Sequence, residues 1–326
     1  MAYPEMPERC DYGLLKSEFG SIFQPRRKCI ISVDLDGLLS AVLMGHLLGW
    51  EVVGTYDASS LHVVRGCLPA GNIGTEKALA QSKLVFLDHD IYRQEIDSIG
   101  HHLLMWSEDI SVPLHTEGRH SLNPNLLRRI AYNKAFNRKY PFSTFHFLLA
   151  CASAWGTLGD FHPDDEITTL LLHIDSSFVN AINYQSNALD WLDWLGGSEE
   201  KSPLYPICRR MLRFTPRTIL EQFRNLDQRL SGFGMATRPS AALVRPDNEQ
   251  AASAVKNFLD WLEQETGWRA NLAIRGDSNI ATYTLKRRSA KPLRSEFEPA
   301  IASEPFSYAI LNRGEGGLNY GWLEER

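Results

Sequence analysis

Apolar and polar positions divide the first half of the chain into segments of two kinds. KCIISVD (Lys28 to Asp34), EVVGTY (Glu51 to Tyr56), KLVFLD (Lys83 to Asp88) and HLLMW (His102 to Trp106) are short apolar runs without alternation of polarity. That pattern predicts strands covered on both faces. LLSAVLMGHLL (38–48) and the stretch from Phe142 to Trp155 read as buried helices. Strands alternating with helices predict an α/β domain with a mostly parallel sheet. From Ile167 to Leu230 the apolar spacing is helical: TTLLLHIDSSFVNAIN, ALDWLDWLGG with Gly196-Gly197 as a stop, and a run from Leu212. GFGMATRP (232–239) reads as a linker. A smaller unit follows, with strands at 241–244, 270–275 and 279–288 and a helix over 252–267. The expected division is residues 1–195 as the main domain, 196–239 as a helical connector and 240–326 as a C-terminal α/β lobe.

Composition narrows the classes. A hydrophobic fraction of 44% with 22% charged residues is that of an ordinary globular chain. No run of about 18 uncharged apolar residues occurs, and the first thirty residues carry charge throughout, so neither a membrane partner nor a secretory leader is expected and the expected location is the cytoplasm. The net charge of −5 excludes a wholly basic nucleic-acid binder but not a local basic groove. Five widely spaced cysteines without a CxxC pair point to buried thiols rather than a zinc site.

The candidate chemistry lies where strands end. Asp34 and Asp36 follow the first, Asp88, His89 and Asp90 the third, and Ser107-Glu108-Asp109 the fourth; a helical stretch then delivers Gly156-Thr157-Leu158-Gly159-Asp160. Ligands of open α/β sheets bind beyond the carboxyl ends of strands. An oxygen-rich set of this kind suits Mg²⁺ or Mn²⁺, and a pair of such ions suits phosphodiester chemistry. The segment from Asn125 to Lys139 interleaves Arg128, Arg129, Lys134, Arg138 and Lys139 with aromatic residues, a pattern fitting single-stranded nucleic acid as well as a solvated helix face. His101-His102 reads as the start of the fourth strand, and His146, His162 and His173 as core or helix-surface residues.

The order VDLDG, LVFLDHD, a third acidic cluster and GTLGD resembles the DHH phosphoesterase superfamily, in particular its RecJ-like nuclease branch. Asn123-Pro124-Asn125 resembles the Asn-Pro element after that family's third motif. LAIRGDSNIATYTLKRRS and GEGGLNYG (314–321) resemble the DHH-associated substrate-binding domain with its Arg-Ser strand and glycine-rich loop. The resemblance implies a DHH-like domain with a smaller substrate lobe. It implies Asp34, Asp36, Asp88 and Asp160 as catalytic acids, with His89 and Asp109 beside them as ligands of Mn²⁺ or Mg²⁺. It implies Arg287, Arg288, Ser289, Gly316 and Gly317, with Arg128 and Arg129, as substrate contacts. The activity implied is an exonuclease or oligonucleotide phosphodiesterase acting on single-stranded DNA or RNA or a short oligonucleotide. The alternative is a catalytically degenerate scaffold that binds nucleic acid or sits in a protein complex. Degeneracy is suggested by Ser32, by Ser107-Glu108-Asp109 and by Leu318, which stand where the family carries His or Asp, Asp-His-His and His.

Overall fold

The computed structural model describes residues 9–69, 75–109, 120–159, 161–213, 216–236, 244, 248–274 and 279–324. The protein is α/β, with helices around one large curled sheet. Its strands are β1 (Lys28–Ser32), β2 (Glu51–Tyr56), β3 (Ser60–Val64), β4 (Val85–Leu87), β5 (Asp97–Ile99), β6 (Ser121–Leu122), β7 (Ile280–Ala290), β8 (Ser307–Ile310) and β9 (Leu318–Leu323). They lie in the order β6-β5-β4-β1-β2-β3-β7-β9-β8. The β6-β5-β4-β1-β2 portion is parallel. Every pairing from β2 outward to β8 is antiparallel. The whole sheet is therefore mixed, and the expected parallel order holds for its first five strands.

Pleating explains why the apolar runs do not alternate. Successive side chains point to opposite faces, and both faces are covered. Cys29 and Ile31 enter one core with Val85 and Leu87, while Ile30 and Phe86 enter a second core with Val53, Leu61 and Phe306. The helix Leu35–Leu48 supplies the first core with seven buried apolar residues, from Leu35 to Met44. Its start is capped by Asp34, whose side chain accepts from Gly37 N, and its end by Gly49 at φ 66.

The C-terminal segment extends the same sheet. β7 pairs with β3 through its first half and with β9 through its second. The sheet then curls until β8 reaches the far side, where Ser307 bridges Ile91 and Ile310 bridges Leu103. That closure lays 307–310 across the chain leaving β4 and β5.

Several boundaries differ from expectation. Residues 102–106 form isolated bridges, from Leu103 and Met105, rather than a strand, and the strand of that region is β5, three residues upstream. Its sequence DSI lacks the apolar run that marked the others. Of the strand expected at 270–275, Leu272 alone among the described residues makes a bridge, to Val52. The run from Leu212 splits into helices Tyr205–Arg213 and Pro216–Gly232. The 241–244 strand falls, except for Val244, outside the described residues. Among the described residues no helix is long and apolar enough to cross a membrane.

A Cβ on Gly37 would lie 2.2 Å from Ser32 Oγ and 2.7 Å from Ser32 O. Gly37→Ala must separate the helix from β1, and a loss of about 1–3 kcal/mol in urea unfolding is expected, as for overpacked cores; unchanged stability would mean that this junction yields freely.

Candidate metal and phosphate site

The carboxyl ends of β1, β4 and β5 bring three of the expected acids together. Asp36 is 1% exposed. Its carboxylate accepts the N–H groups of Thr144 (2.7 Å) and Phe145 (2.8 Å), at the first turn of the helix Thr144–Ala154. Ser40 Oγ adds a third donor at 3.3 Å. A helix N-terminus stabilises negative charge, which opposes the upward push that burial, Asp88 and Asp175 exert on this carboxyl. Asp88 sits at φ 61, accepting from Thr144 Oγ1 at 2.9 Å and from Ser32 Oγ at 2.7 Å.

Ser32 Oγ also lies 2.7 Å from Asp34 Oδ1. A hydroxyl has one proton to give, so two such contacts at once require a proton on one carboxyl. Asp34 is the one that keeps it. Burial, followed by the charges of Asp88 and Asp175, pushes its pKa up to about 7. Burial would raise Asp88 too, but the hydrogen bond and charge of His101 outweigh it and hold Asp88 below the ordinary carboxylate value.

His101 ties the cluster together. Its Nδ1 is 3.1 Å from Asp88 and 3.6 Å from Asp36, and its Nε2 is 2.9 Å from Asp175 Oδ2. Burial disfavours the imidazolium, but Asp175 and Asp88 more than offset this and raise its pKa well above the usual histidine value. Asp36, His101 and Asp175 each offer a ligand atom within 4.8 Å of the others. His101 was set aside in the sequence because it was assigned to a strand start. In the structure it follows the end of β5, with Gly100 between.

Asp175 was missed altogether. It lies between the helices Asp165–His173 and Ser177–Asn183, where Asp175 (φ 52) and Ser176 (φ 55) adopt left-handed backbone. Two consecutive non-glycine residues there are unusual, and the turn they make carries the carboxylate to His101. Its signal was the Asp-Ser-Ser interruption of an otherwise helical run. Asp160, the acid expected in this role, lies outside the described residues.

A second pair stands beside the first. His102 Nδ1 is 3.1 Å from Asp90, which is acceptor-only when ionised, so that nitrogen carries the hydrogen. Asn123 Nδ2 donates to Asp90 (2.7 Å) and to the His102 carbonyl (2.8 Å), and Asn125 Nδ2 to the His101 carbonyl (2.7 Å). The Asn-Pro-Asn element thus grips the backbone of both histidines. His89 is the neutral one: burial pulls its pKa down to about 4. Among the described residues its buried Nε2 has no hydrogen-bond partner.

A cavity of about 310 Å³ opens on this edge, lined by Asp34, Asp88, His89 and His102 on one side and by Arg287, Ser307 and Gly321 on the other. Arg287 and Arg288 point to opposite faces of β7. Arg287 donates to Ser59 Oγ and lines the cavity, whereas Arg288 lies over Trp322, 5.7 Å from its ring centre. Ser289 is exposed opposite Asn319. Gly316 (φ 72) and Gly317 shape the turn between β8 and β9, where a Cβ on Gly317 would meet Asn312 O at 2.3 Å; Gly321 is the glycine at the cavity.

Other expected residues lie apart. Asp109 is exposed and paired with Arg294 at 3.0 Å, and Glu108 pairs with Lys134, so Glu108-Asp109 is a surface turn rather than a strand end, with Ser107 buried before it. Arg128 is 6% exposed, bonded to Asp190 and stacked 4.4 Å from the Trp191 ring centre, which makes it a core-edge residue instead of a phosphate contact. Arg129 follows it at φ 53, half-buried. His146 is buried and caps its own helix with Ser143. The chain matches no protein-family model, no curated protein and no solved structure.

The crowding has a pH signature. Folded Asp34 holds its proton to about pH 7, whereas an unfolded Asp releases it near 4. The folded state therefore binds more protons in that window, and stability falls as pH rises from about 4 to about 7. Asp34→Asn keeps the helix cap and removes the charge. Without divalent cations it should be about 1–3 kcal/mol more stable than the parent at pH 8, with a flatter pH dependence in urea unfolding. Identical profiles would place the uncompensated charge elsewhere.

Proposed function

We propose that the protein is a metal-dependent phosphoesterase of the DHH type, cutting phosphodiester bonds in single-stranded nucleic acid or short oligonucleotides. The observation that carries this reading is the group of Asp36, Asp88 and Asp175 around His101, with Asp34 and Asp88 lining a cavity that Arg287 also lines. Such a concentration of carboxylates beyond the strand ends, one of them held protonated to about pH 7, is a site short of positive charge. Hard oxygen donors with one or two imidazoles suit Mn²⁺ or Mg²⁺.

Asp36, His101 and Asp175 would hold one cation, and Asp34, Asp88 and His89, which line the adjoining cavity, offer further donors beside it. Divalent cations there supply neutralisation of phosphoryl oxygens and a more acidic water. The chain's own groups do the rest. Arg287 faces the acids and orients a phosphoryl oxygen. Asp90 fixes the tautomer of His102, leaving Nε2 to hold a proton for the departing oxygen. The two asparagines hold this histidine pair in place.

The altered third motif also reads differently in space. On the phosphoesterase reading, His101-His102, which follow β5 after Gly100, take the place that the resemblance gives to Ser107-Glu108-Asp109. A Cβ on Gly100 would lie 2.5–2.6 Å from the carboxylate atoms of Asp90. Asp90 thus fills from β4 the space that an aspartate at position 100 would occupy, which favours an enzyme over a scaffold.

Calorimetry should show Mn²⁺ binding to the parent and loss of it in Asp36→Ala and in Asp175→Asn. Unchanged affinity in both would remove the metal from the reading. With Mn²⁺, labelled single strands should be cleaved, and His102→Ala should slow cleavage by about 10²–10⁴ while leaving Mn²⁺ affinity intact. A parent that binds single strands and Mn²⁺ without cleaving them would be the scaffold.

A further inference from the structure

The two helices that start at the acids meet a second cavity further along. Asp34 caps the helix Leu35–Leu48, and Asp36 accepts from the first turn of the helix Thr144–Ala154. The later turns of both, together with the helix Tyr12–Phe19, enclose about 370 Å³. Met44, Leu148 and Ala152 are the buried part of the lining, and Phe23, Leu48 and Trp155 are half-buried. The rings of Phe23 and Trp155 meet edge to face, with 4.8 Å between their centres. Among the described residues this cavity shares none with the one at the acids. Helix ends ordinarily offer spare carbonyls to a donor, but four in this region are taken by the chain itself. Leu48 O accepts from Arg26 N at 2.7 Å, Met44 O from Gly49 N, Ala152 O from Thr157 N at 3.0 Å, and Gly20 O from Gln24 Nε2 at 2.9 Å. The indole N–H of Trp155 is likewise spent, on Tyr12 O at 2.9 Å. What is left over is a cation. Lys16 is the one charged residue of the lining, it is exposed, and among the described residues its ammonium has neither an ion pair nor a hydrogen bond.

We infer that this cavity binds a small monocarboxylic acid with an apolar body, of the medium-chain fatty acid kind. Its chain fills the space between the three helices, and its carboxylate meets Lys16. Sites for small molecules combine an apolar lining with a few polar groups, and begin at about 300 Å³. A ligand that brings hydrogen-bond donors finds the nearby acceptors occupied, and an uncharged one leaves the ammonium without a partner. A carboxylate gives that ammonium a charge-assisted hydrogen bond, while the chain takes Phe23, Leu48 and Trp155 further out of water. The inference is independent of the phosphoesterase reading, because the cavity lies apart from the metal cluster.

Three probes separate chain from charge: octanoate, hexanoate and octan-1-ol, titrated by calorimetry into the full chain below any micelle-forming concentration. Octanoate should bind about fifteenfold more tightly than hexanoate, about fourfold for each buried methylene. It should bind about three- to fivefold more tightly than octan-1-ol, the worth of a partly exposed ion pair. Lys16→Met, at an exposed position, should remove the preference over octan-1-ol and leave octan-1-ol binding as it was, which also shows the fold intact. Lys16→Glu should turn the preference to octylamine. Thr157→Trp, at an exposed position of the lining, occupies the space and should abolish binding of all three probes. Equal affinity of the parent for octanoate and octan-1-ol, a preference that survives Lys16→Met, or binding untouched by Thr157→Trp overturns the site.

Discussion

One imidazole holds the edge of this sheet together. His101 lies between Asp88 and Asp175, with Asp36 next to it, and its charge is what allows three acids from three separate segments to share a buried space. Removing one partner from a buried set of this kind leaves charge uncompensated, which is costlier than never having buried it. The backbone records the strain of convergence. Asp88, Asp175 and Ser176 all have positive φ, a conformation that costs on the order of 1–3 kcal/mol per residue and persists only where surrounding structure over-determines it. The acids therefore sit where they are because rigid elements force them there: β1 and β4 from below, and the N-terminus of the helix Thr144–Ala154 from the side. His101 partly satisfies the resulting demand for positive charge, and Asp34 meets the remainder by retaining its proton.

The curl of the sheet supplies the opposite wall. A flat sheet of nine strands would leave β7 and β9 far from β4. Instead the antiparallel half turns back until β8 bridges Ile91 and Ile310 bonds Leu103. Because side chains alternate along β7, the closure presents Arg287 to the acids and turns Arg288 to Trp322. Adjacent residues of one basic run thus acquire different tasks from a two-residue period.

That alternation marks where the sequence stops being legible. Long apolar segments announced themselves: β2 runs over the six expected residues, and the helix at 142–155 lies within two residues of its expected ends. Asp34, Asp36 and Asp88 were recognisable because each follows an apolar run. β5 was not, since DSI has a charge and a serine in three residues and takes its place from pairing with β4 and β6. With β5 unseen, the run HLLMW took its place, and the histidine pair appeared at the wrong end of a strand. Asp175 had no run to mark it; its position depends on two left-handed residues that local composition does not encode. Arg128 looked like its basic neighbours, and only the approach of Trp191 and Asp190, some sixty residues away, makes it part of the core edge.

Gly100 and Asp90 meet at the histidine pair from two different segments. Along the chain they are ten residues apart and belong to different strands' ends. In space the carboxylate of one occupies the volume that a side chain on the other would need, and the same carboxylate orients His102. A glycine at position 100 is then a requirement of the arrangement: any larger residue would displace Asp90, release the His102 imidazole and break its bond from Asn123. Along the sequence no acid directly precedes the histidine pair. Across the sheet Asp90 stands beside it from the neighbouring strand end and accepts from His102 Nδ1, so the chemistry open to this edge depends on where the carboxylate stands and not on which strand delivers it.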